Sequence, residues 1–473
     1  MISLRQIIEA ITGRNFLAGN TMVTEFVIDS RKAIPGSFFI ALKGDHSDGH
    51  NYIESAFRNG AQIALINQEI PGEYPVIDLR NPSPAGIKTL PKAPFCIRVA
   101  DTLETLQTVA KWWRSNLSIR IIGITGSVGK SSTKELTAEV LGRKYATFKN
   151  PGNYNNEIGL PLTILNTGPG FERIVLEMGF YFPGEIEFLC SIAKPDIGII
   201  TNIGTVHAER AGSRENIAEG KSELVRMLPP APSGTAVLNY DDPFVKAMAE
   251  KTKADILFYG LSSESDIWAD DIHGKGLQGI EFCMHYGGKS AKLTIPILGR
   301  HSVQTILRAS AVGFIEGLDW DDVIAGLTFS NTQLRLVAVE TQSGALILDD
   351  TYNATPESTI AALDLLNELK GQKIAVLGDM LELGQYEETG HLQVGRKAAE
   401  VVDHLIAVGE RSQSIAESAK ASGLPGTAVT WVKNAEQAVD LLKYNLKDGD
   451  VVLIKGSHGL RMDLITSKLE AVL

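Results

Sequence analysis

The stretch GITGSVGKSSTKE, residues 123–135, decides how the rest of the chain is interpreted. An apolar run, IRII, leads into it, and the segment STKELTAEVLGR that follows has the composition of a helix. The strict phosphate-binding pattern GxxxxGK[ST] is met only in its second half, GSVGKS, because Ile124 stands where the pattern requires glycine. A strand that passes through glycines into a helix directs backbone N–H groups and the positive end of the helix toward a phosphate. The stretch therefore predicts an α/β domain that binds a nucleoside triphosphate.

The residues that we assign to this nucleotide site lie in the loop and in the first helical turn: Thr125, Gly126, Ser127, Val128, Gly129, Lys130, Ser131 and Ser132. Lys130 can neutralise charge on the β- and γ-phosphates, and Ser131 can offer its hydroxyl group to Mg²⁺. Motor ATPases, kinases, switches and ligases all use such loops. The loop thus predicts ATP and magnesium without specifying the reaction.

Size and charge restrict the class of protein. The chain has 473 residues, of which 44% are hydrophobic and 21% charged, as in a soluble globular protein of about three domains. The formal net charge of −11 argues against a general binder of nucleic acid or of anionic membranes, because such proteins carry a basic surplus. A local basic pocket for an anionic ligand remains compatible with this balance.

The cysteines and the N-terminus point to the cytoplasm. Cys96, Cys190 and Cys283 are far apart and form neither a CxxC motif nor a Cys/His cluster, which favours reduced thiols. The start, MISLRQIIEAITG, is too polar for a signal peptide, and no stretch reaches the roughly 18 apolar residues that span a membrane. We expect a cytoplasmic protein with no membrane span, and a monomer by default.

Three blocks follow one another along the chain, and we predict domains at 1–97, 98–332 and 333–473. The second block opens with an amphipathic helix, residues 101–117, for which Asp101 is the expected N-cap. Strands alternate with helices in the second and third blocks, which predicts mostly parallel sheets covered by helices on both faces. Residues 266–299 instead show alternating β-like runs around a Gly-Gly turn, which predicts antiparallel hairpins.

Three further residues are candidates for the phosphate chemistry. Glu177 ends the apolar run RIVLE, and a carboxylate at the carboxyl end of a parallel strand faces the ligand crevice. His207 lies just beyond the end of the next strand, and Lys221 lies in the helical stretch 214–228. Position alone is equally compatible with a solvated strand end, a structural histidine and a solvated lysine.

The order of several longer motifs resembles the Mur ligase family. The motifs are TGSVGKSSTK (125–134), GNYNNEIGLPLT (152–163), LEMG (176–179), TNIGTVHAERAGSRENIAEGKSE (201–223), LDDTYNATPES (348–358) and LGDMLELG (377–384). The front segment 29–61, with its DSR and DGH elements, resembles the UDP-binding domain of that family. GDMLELG and VLIKGSHGLRMD (452–463) are similar to the members that use D-alanyl-D-alanine. The resemblance extends over essentially the whole chain.

This resemblance implies a fold and a reaction. The expected fold is a small N-terminal α/β UDP-binding domain, a central P-loop domain with a parallel sheet, and a C-terminal Rossmann-like α/β domain that closes over ATP. The expected enzyme is an ADP-forming amide ligase of peptidoglycan precursor synthesis. It would join D-alanyl-D-alanine to UDP-N-acetylmuramoyl-tripeptide, whose terminal carboxylate first becomes an acyl phosphate.

The family's catalytic residues match four positions: Lys130, Glu177, His207 and Lys221. The resemblance implies that Ser131 and Glu177 hold one Mg²⁺ and that His207 helps to hold a second. Lys221 matches a lysine that the family carries as a carbamate, which would make it a carboxylate-like metal ligand.

Other positions match residues that bind substrates. Ser30 and Arg31 match the element near the UDP group, and Asn155 and Asn156 match the segment that faces the muramyl peptide. The remaining matches to ATP-binding residues are His301, Arg335, Asp350 and Asn353. The chain departs from the family pattern GxHNxxNALAA, because residues 299–309 read GRHSVQTILRA, and from YNANP, because Thr355 replaces asparagine.

Three alternatives were weighed against this assignment. A family member that adds a diamino acid to the dipeptide precursor would carry a DNPR-like motif, and the third block has none. Folylpolyglutamate synthetase shares the ATP machinery but would not explain the front segment. A nucleotide switch needs no second metal site beside the γ-phosphate, so Glu177, His207 and Lys221 together argue against it.

Overall fold

The structure is a computed structural model that describes residues 1–14, 21–81, 90–328, 336–443 and 445–470. The strands in these ranges are β1 (Phe26–Val27), β2 (Phe38–Ile40), β3 (Ile63–Ile66), β4 (Val76–Asp78), β5 (Phe95–Arg98), β6 (Arg120–Thr125), β7 (Thr147–Lys149), β8 (Arg173–Glu177), β9 (Ile197–Ile200), β10 (Thr235–Asn239), β11 (Asp255–Gly260), β12 (Ile267–Gly274), β13 (Ile280–Tyr286), β14 (Lys289–Ile295), β15 (Val337–Glu340), β16 (Leu346–Asp350), β17 (Gln372–Gly378), β18 (His404–Val408), β19 (Val429–Val432) and β20 (Asp450–Lys455).

The α-helices in the same ranges are α1 (Leu4–Thr12), α2 (Ile53–Arg58), α3 (Thr102–Ser115), α4 (Lys130–Leu141), α5 (Gly159–Leu165), α6 (Glu185–Ala193), α7 (Ala208–Ala211), α8 (Arg214–Arg226), α9 (Pro243–Lys246), α10 (Ser302–Ile315), α11 (Trp320–Thr328), α12 (Pro356–Glu368), α13 (Glu387–Val401), α14 (Gln413–Ala421), α15 (Ala435–Lys443) and α16 (Asp463–Glu470). No helix in the described ranges is both long and apolar enough to cross a membrane.

The chain forms two compact units. The first comprises Met1–Gly123, Tyr145–Gly179 and Glu185–Asp196. The second comprises Ile124–Lys144, Phe180–Gly184 and the chain from residue 197 onward. The predicted limits of the three domains stay a prediction.

The first unit contains a five-stranded parallel sheet of order β1-β2-β3-β5-β4. Its core includes Phe39, Ile66 and Cys96, all buried on adjoining strands. Helix α3 begins as predicted, because the Asp101 side chain accepts a hydrogen bond of 2.8 Å from the Glu104 amide. The same unit contains the parallel pair β7–β8, and β8 ends at Glu177.

The second unit contains strands that run from β9 through β12 in parallel and then continue as an antiparallel ribbon, β12-β13-β14. The predicted hairpins are therefore confirmed. Gly287 and Gly288 form the two-residue turn of the last hairpin with φ of 59° and 75°. A turn with two positive φ values matches the twist of the strands that it joins, which explains the two glycines.

The same unit holds a six-stranded sheet of order β15-β16-β20-β17-β18-β19. All its pairs are parallel except β15–β16 at one edge. Apolar residues of α12, α13 and α14 cover one face, and those of α15 and α16 cover the other. The predicted doubly wound arrangement is confirmed, whereas the antiparallel edge strand β15 was not predicted.

Candidate active site

The glycine loop connects the end of β6 to the start of α4 in the second unit. Gly126 has φ of +147°, and a Cβ atom there would lie 1.8 Å from Thr201 Oγ1, so no other residue fits. Gly129 has φ of +84° and is the N-cap of α4. The first amides of a helix have no acceptor within the helix, and they carry the positive end of its dipole. The loop thus presents the start of α4 as an anion site.

The segment that follows β9 fixes the conformation of the loop. The Ser127 amide donates to the Asn202 carbonyl at 2.9 Å, and the Val128 amide donates to Asn202 Oδ1 at 3.0 Å. Thr201 Oγ1 donates to the Val128 carbonyl at 2.7 Å, and the Gly204 amide donates to Ser127 Oγ at 2.8 Å. The amides of Ser127 and Val128 are therefore occupied by protein acceptors. Asn202 was not predicted, although it lies within a motif that the sequence singled out.

Two predicted catalytic lysines meet at the loop. Lys130 Nζ and Lys221 Nζ each donate to the Gly126 carbonyl at 2.9 Å. Lys221 is fully buried, and its Nζ lies 4.6 Å from the centre of the Phe180 ring. A Cβ atom on Gly220 would lie 2.2 Å from that ring, so glycine is required beside the lysine. The interpretation of Lys221 as a solvated surface residue is wrong.

A buried arginine supports the loop from α10. Arg308 is 3% exposed and donates to Thr133 Oγ1 at 2.9 Å, to Thr305 Oγ1 at 2.7 Å and to the Tyr259 hydroxyl at 3.2 Å. Tyr259 in turn donates to the Thr201 carbonyl at 2.7 Å, and burial raises the pKa of its phenol to about 12. Sequence reasoning missed Arg308. Its signal was an arginine within an otherwise apolar helical stretch, at a position where the family pattern has alanine.

A cavity of about 300 Å³ in the second unit is bordered by the loop, α10 and the third block. Seven residues predicted to bind ATP line it: Ser127, Val128, Gly129, Ser132, His301, Asp350 and Asn353. Thr125 is buried at the end of β6, and Ser131 is half-buried as the second residue of α4. Arg335 lies outside the described residues.

The third block contributes a buried ion pair to this cavity. Lys455 Nζ lies 2.6 Å from Asp350 Oδ2 and donates to the Asn353 carbonyl at 2.9 Å. The Lys455 side chain is 2% exposed and the Asp350 side chain 16% exposed. The paired strands β16 and β20 place the two residues directly opposite each other. Lys455 was missed, although a lysine at the end of the apolar run VVLIK was visible in the sequence.

His207 is held by a carboxylate of the third block. Its Nδ1 lies 2.6 Å from Glu382 Oε2, and its ring meets Tyr181 edge-on with centroids 4.9 Å apart. Burial lowers the pKa of His207, with the charges of Lys130 and Lys221 acting in the same direction while Glu382 opposes them. The hydrogen bond to His207 lowers the pKa of Glu382. A neutral ring that donates from Nδ1 keeps a lone pair on Nε2, as a metal ligand must.

The first unit holds Glu177 and the two predicted asparagines. Glu177 is 2% exposed, and its Oε1 accepts a hydrogen bond of 2.8 Å from Asn155 Nδ2. The Glu177 amide donates to Asn150 Oδ1 at 2.9 Å. Asn156 is exposed, and its Oδ1 accepts from the Gly159 amide at 2.9 Å at the start of α5. The interpretation of Glu177 as a solvated strand end is therefore wrong.

The predicted UDP element is a short turn in the first unit. Ser30 is buried and begins the 3₁₀ helix Ser30–Lys32, capped by Asp29. The Arg31 side chain is 86% exposed and pairs with Asp29 at 2.8 Å, and its hydrogen bond holds the pKa of Asp29 below the usual value. Lys32 Nζ donates to the Tyr154 hydroxyl at 3.4 Å. The turn thus lies beside the 153–156 segment of the same unit.

Comparison with known proteins identifies three successive parts of the chain. The Mur ligase family catalytic domain matches residues 23–80, the Mur ligase middle domain matches 124–313, and the Mur ligase glutamate ligase domain matches 334–458. The predicted three-domain α/β fold class is therefore confirmed.

Individual relatives match over nearly the full length. UDP-N-acetylmuramoyl-tripeptide–D-alanyl-D-alanine ligase of Bacillus subtilis (strain 168) is 36% identical over 95% of this chain and 93% of that protein. A crystal structure of MurF from Acinetobacter baumannii has a TM-score of 0.84 at 28% identity, covering 99% of both chains. MurF ligase from Thermotoga maritima, in complex with ADP, has a TM-score of 0.79 at 28% identity, covering 96% of this chain and 98% of that one. The chain belongs to the Mur ligase family and, within it, to the MurF type.

Proposed function

We propose that this chain is an ATP-dependent, ADP-forming ligase that joins D-alanyl-D-alanine to UDP-N-acetylmuramoyl-tripeptide. The observation that carries the proposal is the cavity of the second unit, where the glycine loop meets Asp350, Asn353 and Lys455 of the third block. The name of the Bacillus subtilis relative supplies the pair of substrates. The reaction belongs to peptidoglycan precursor synthesis and takes place in the cytoplasm, where ATP is available.

ATP would bind with its phosphates at the start of α4. The Ser127 and Val128 amides already bond to Asn202. The phosphate oxygens would therefore be bound by the amides that follow in the chain, by Lys130 and by the Ser131 hydroxyl. The rest of the nucleotide would occupy the cavity between His301 and the Asp350–Asn353 segment. Arg335 is retained as a proposed phosphate ligand on the resemblance alone.

The chemistry has two steps. The terminal carboxylate of the tripeptide attacks the γ-phosphorus, a carboxyl O–P bond forms, the bond to the β-phosphate oxygen breaks, and ADP leaves. The neutral amine of D-alanyl-D-alanine then attacks the acyl carbon, the acyl C–O bond to phosphate breaks, and the proton lost by the amine leaves with phosphate as the amide forms. Both reactants of the first step are anions, so Lys130 serves by lowering their repulsion in the transition state. Domain closure would exclude water from the acyl phosphate.

Magnesium fits the donors of the site. Ser131 and Glu177 supply hydroxyl and carboxylate oxygens, which Mg²⁺ prefers, and His207 can supply Nε2 because Nδ1 faces Glu382. Bound magnesium would mask phosphate and carboxylate charge. On the resemblance alone, two ions are proposed, with Ser131 and Glu177 matching the ligands of one, and His207 and a carbamate on Lys221 matching those of the other.

The carbamate is proposed on the resemblance, and it would change the charge at the loop. Lys130 Nζ and Lys221 Nζ each donate to the Gly126 carbonyl. A carbamate on Lys221 would be an anion beside Lys130 and would supply oxygen ligands, whereas the amine as it stands is a poor magnesium ligand.

The muramyl substrate would bind to the first unit. Arg31 is an exposed cation of the Ser30–Lys32 turn, suited to the UDP diphosphate. Asn155, which contacts Glu177, would orient the reacting end of the peptide, and Asn156 lies in the same segment. We retain the domain limits 1–97, 98–332 and 333–473 and a monomeric state as part of the proposal.

The test is phosphate release from ATP by the full chain. Release should require both UDP-N-acetylmuramoyl-tripeptide and D-alanyl-D-alanine, and the product should contain the new amide by mass spectrometry. Replacing the pair by the dipeptide precursor and a diamino acid should abolish release. Release that is unchanged without D-alanyl-D-alanine would refute the proposed reaction.

The carbamate has its own test. Lys221→Ala should lose most activity and should recover part of it when short carboxylates are added, because they can occupy the place of the carbamate. Lys253→Ala, an exposed lysine of the same unit, is the matched control and should behave as wild type. Full activity of Lys221→Ala would remove this residue from the site.

A further inference from the structure

The His207 ring is bound on two sides within the second unit. On one side Nδ1 bonds to Glu382 Oε2 at 2.6 Å, and the two side chains are 15% and 35% exposed. On another side the ring packs against Tyr181, whose ring also lies 4.8 Å from the guanidinium carbon of Arg210. These contacts fix the ring plane and leave Nε2 as the available ligand atom. Carboxylate partners of this kind orient metal-binding histidines.

The backbone at both ends of this hydrogen bond is unusual. His207 has φ of 68° and Glu382 has φ of 64°, in the left-handed region that residues other than glycine rarely adopt. Such conformations are strained and concentrate at functional sites. The fold therefore maintains strained backbone conformations at both His207 and Glu382, whose side chains are joined by the Nδ1–Oε2 hydrogen bond.

Glu382 belongs to a turn that contacts α7 at backbone distance. The Glu209 amide donates to the Glu382 carbonyl at 3.3 Å, and Gln385 Nε2 donates to the Gly212 carbonyl at 3.2 Å. A Cβ atom on Gly384 would lie 2.8 Å from Glu209 Cα, so glycine is required for this approach. The turn 382–385 of the third block is thus docked on the helix that directly follows His207.

We propose that Glu382 is a positioning residue for the metal site of His207, and that docking of the 382–385 turn on α7 completes that site. The inference rests on the proposed function, since it assumes that His207 binds a divalent cation. Any cation that gains affinity from the docked turn stabilises that docking by the same factor, because the linkage is reciprocal. The second metal would thus hold the third block against the central one.

The test measures metal binding rather than turnover. Mn²⁺ binding to the full-length protein is followed by electron paramagnetic resonance in the presence of a non-hydrolysable ATP analogue. Glu382→Ala should weaken the weaker of two Mn²⁺ sites about 10- to 100-fold, as is typical for such partners, and leave the tighter site unchanged. Glu382→Gln keeps an oxygen acceptor for Nδ1–H and should restore most of the affinity. Glu388→Ala, an exposed acid on α13, is the matched control.

A second variant separates the carboxylate from the docking. Gly384→Ala keeps Glu382 but adds the Cβ that would collide with Glu209, so it should also weaken the weaker Mn²⁺ site. An unchanged tighter site shows that each variant is folded at the loop. Weaker-site affinities of Glu382→Ala within twofold of wild type would overturn the positioning role. If the wild-type protein binds no second Mn²⁺, both the positioning role and the proposed second metal are refuted. If the wild-type protein catalyses amide formation normally and replacing Glu382 has no effect on Mn²⁺ binding, only the positioning role is refuted.

Discussion

The glycine loop with its neighbouring cavity in the second unit and the Ser30–Lys32 turn in the first unit use positive charge in opposite ways. At the loop the Lys221 side chain, and at the cavity the Lys455 side chain, are almost fully buried and bonded to fixed acceptors. At the turn, the Arg31 side chain is 86% exposed and its partner Asp29 is close in sequence. Charges that stabilise a transition state must be held in place beforehand, whereas charges that attract a substrate need not be. The comparison predicts large catalytic effects at the cavity and small affinity effects at the turn.

The largest effect is expected for Lys130→Ala. Loss of a fixed cation beside the phosphates should reduce kcat by about 10²- to 10³-fold, as for other fixed donors to developing charge. The measurement is steady-state phosphate release at saturating substrates. Lys289→Ala, an exposed residue on β14, should leave kcat unchanged. A tenfold or smaller loss in Lys130→Ala would contradict the first half of the comparison.

A smaller effect is expected for Lys455→Met, on stability. The substitution leaves Asp350 without its cation, and the cost should be about 2 kcal/mol, below the usual figure for buried pairs because Asp350 is partly exposed. Urea denaturation monitored by fluorescence gives the value. The double variant Lys455→Met/Asp350→Asn should recover part of the loss. A single variant as stable as wild type would show that this pair does not stabilise the third block.

Arg31→Ala should have a still smaller effect, confined to substrate affinity. An exposed cation is screened by solvent and contributes little, so KM for the UDP-linked substrate should rise only about three- to fivefold while kcat and KM for ATP stay constant. Initial-rate kinetics separate these parameters. A large fall in kcat would show that Arg31 contributes to catalysis as the buried lysines are expected to, and would contradict the second half of the comparison.

The smallest effect concerns the core of the first unit, whose residues are buried although the Ser30–Lys32 turn of the same unit is exposed. Burial raises the pKa of the Cys96 thiol to about 12, so at pH 9 only about 0.1% is the reactive thiolate. Cys283 is half-buried and should react first with a maleimide. Peptide mapping of a timed labelling reaction checks the order. Modification of Cys96 as rapid as that of Cys283 would indicate that the core opens.

Motifs and periodicity were sufficient for the elements that are local in sequence. Asp101 caps α3 as predicted, and the alternation in residues 266–299 became β12–β14. The glycine loop was also predictable, because Gly126 and Gly129 supply the positive φ values that it needs, although the segment after β9 that holds it is distant in sequence. The signals that were read connect residues that are close along the chain.

Contacts between distant segments were not predictable. His207 and Glu382 are 175 residues apart, and so are Arg308 and Thr133, so no spacing in one sequence connects them. Lys221 illustrates the same point, because helical periodicity assigned it to a solvated face whereas its amino group reaches the Gly126 carbonyl. Lys455 is different, since a lysine at the end of an apolar strand was a signal that could have been used.

The antiparallel ribbon β12–β14 has a consequence for how the molecule behaves in crowded solution. β14 is the outermost strand on its side of the sheet, and an outer strand offers backbone N–H and C=O groups to any other strand that approaches. Lys289 and Lys292 stand on this strand, and Lys292 lies 3.1 Å from Glu281 on β13. Charged lysines on an outer strand oppose pairing between sheets. The ribbon thus protects the molecule from edge-to-edge aggregation.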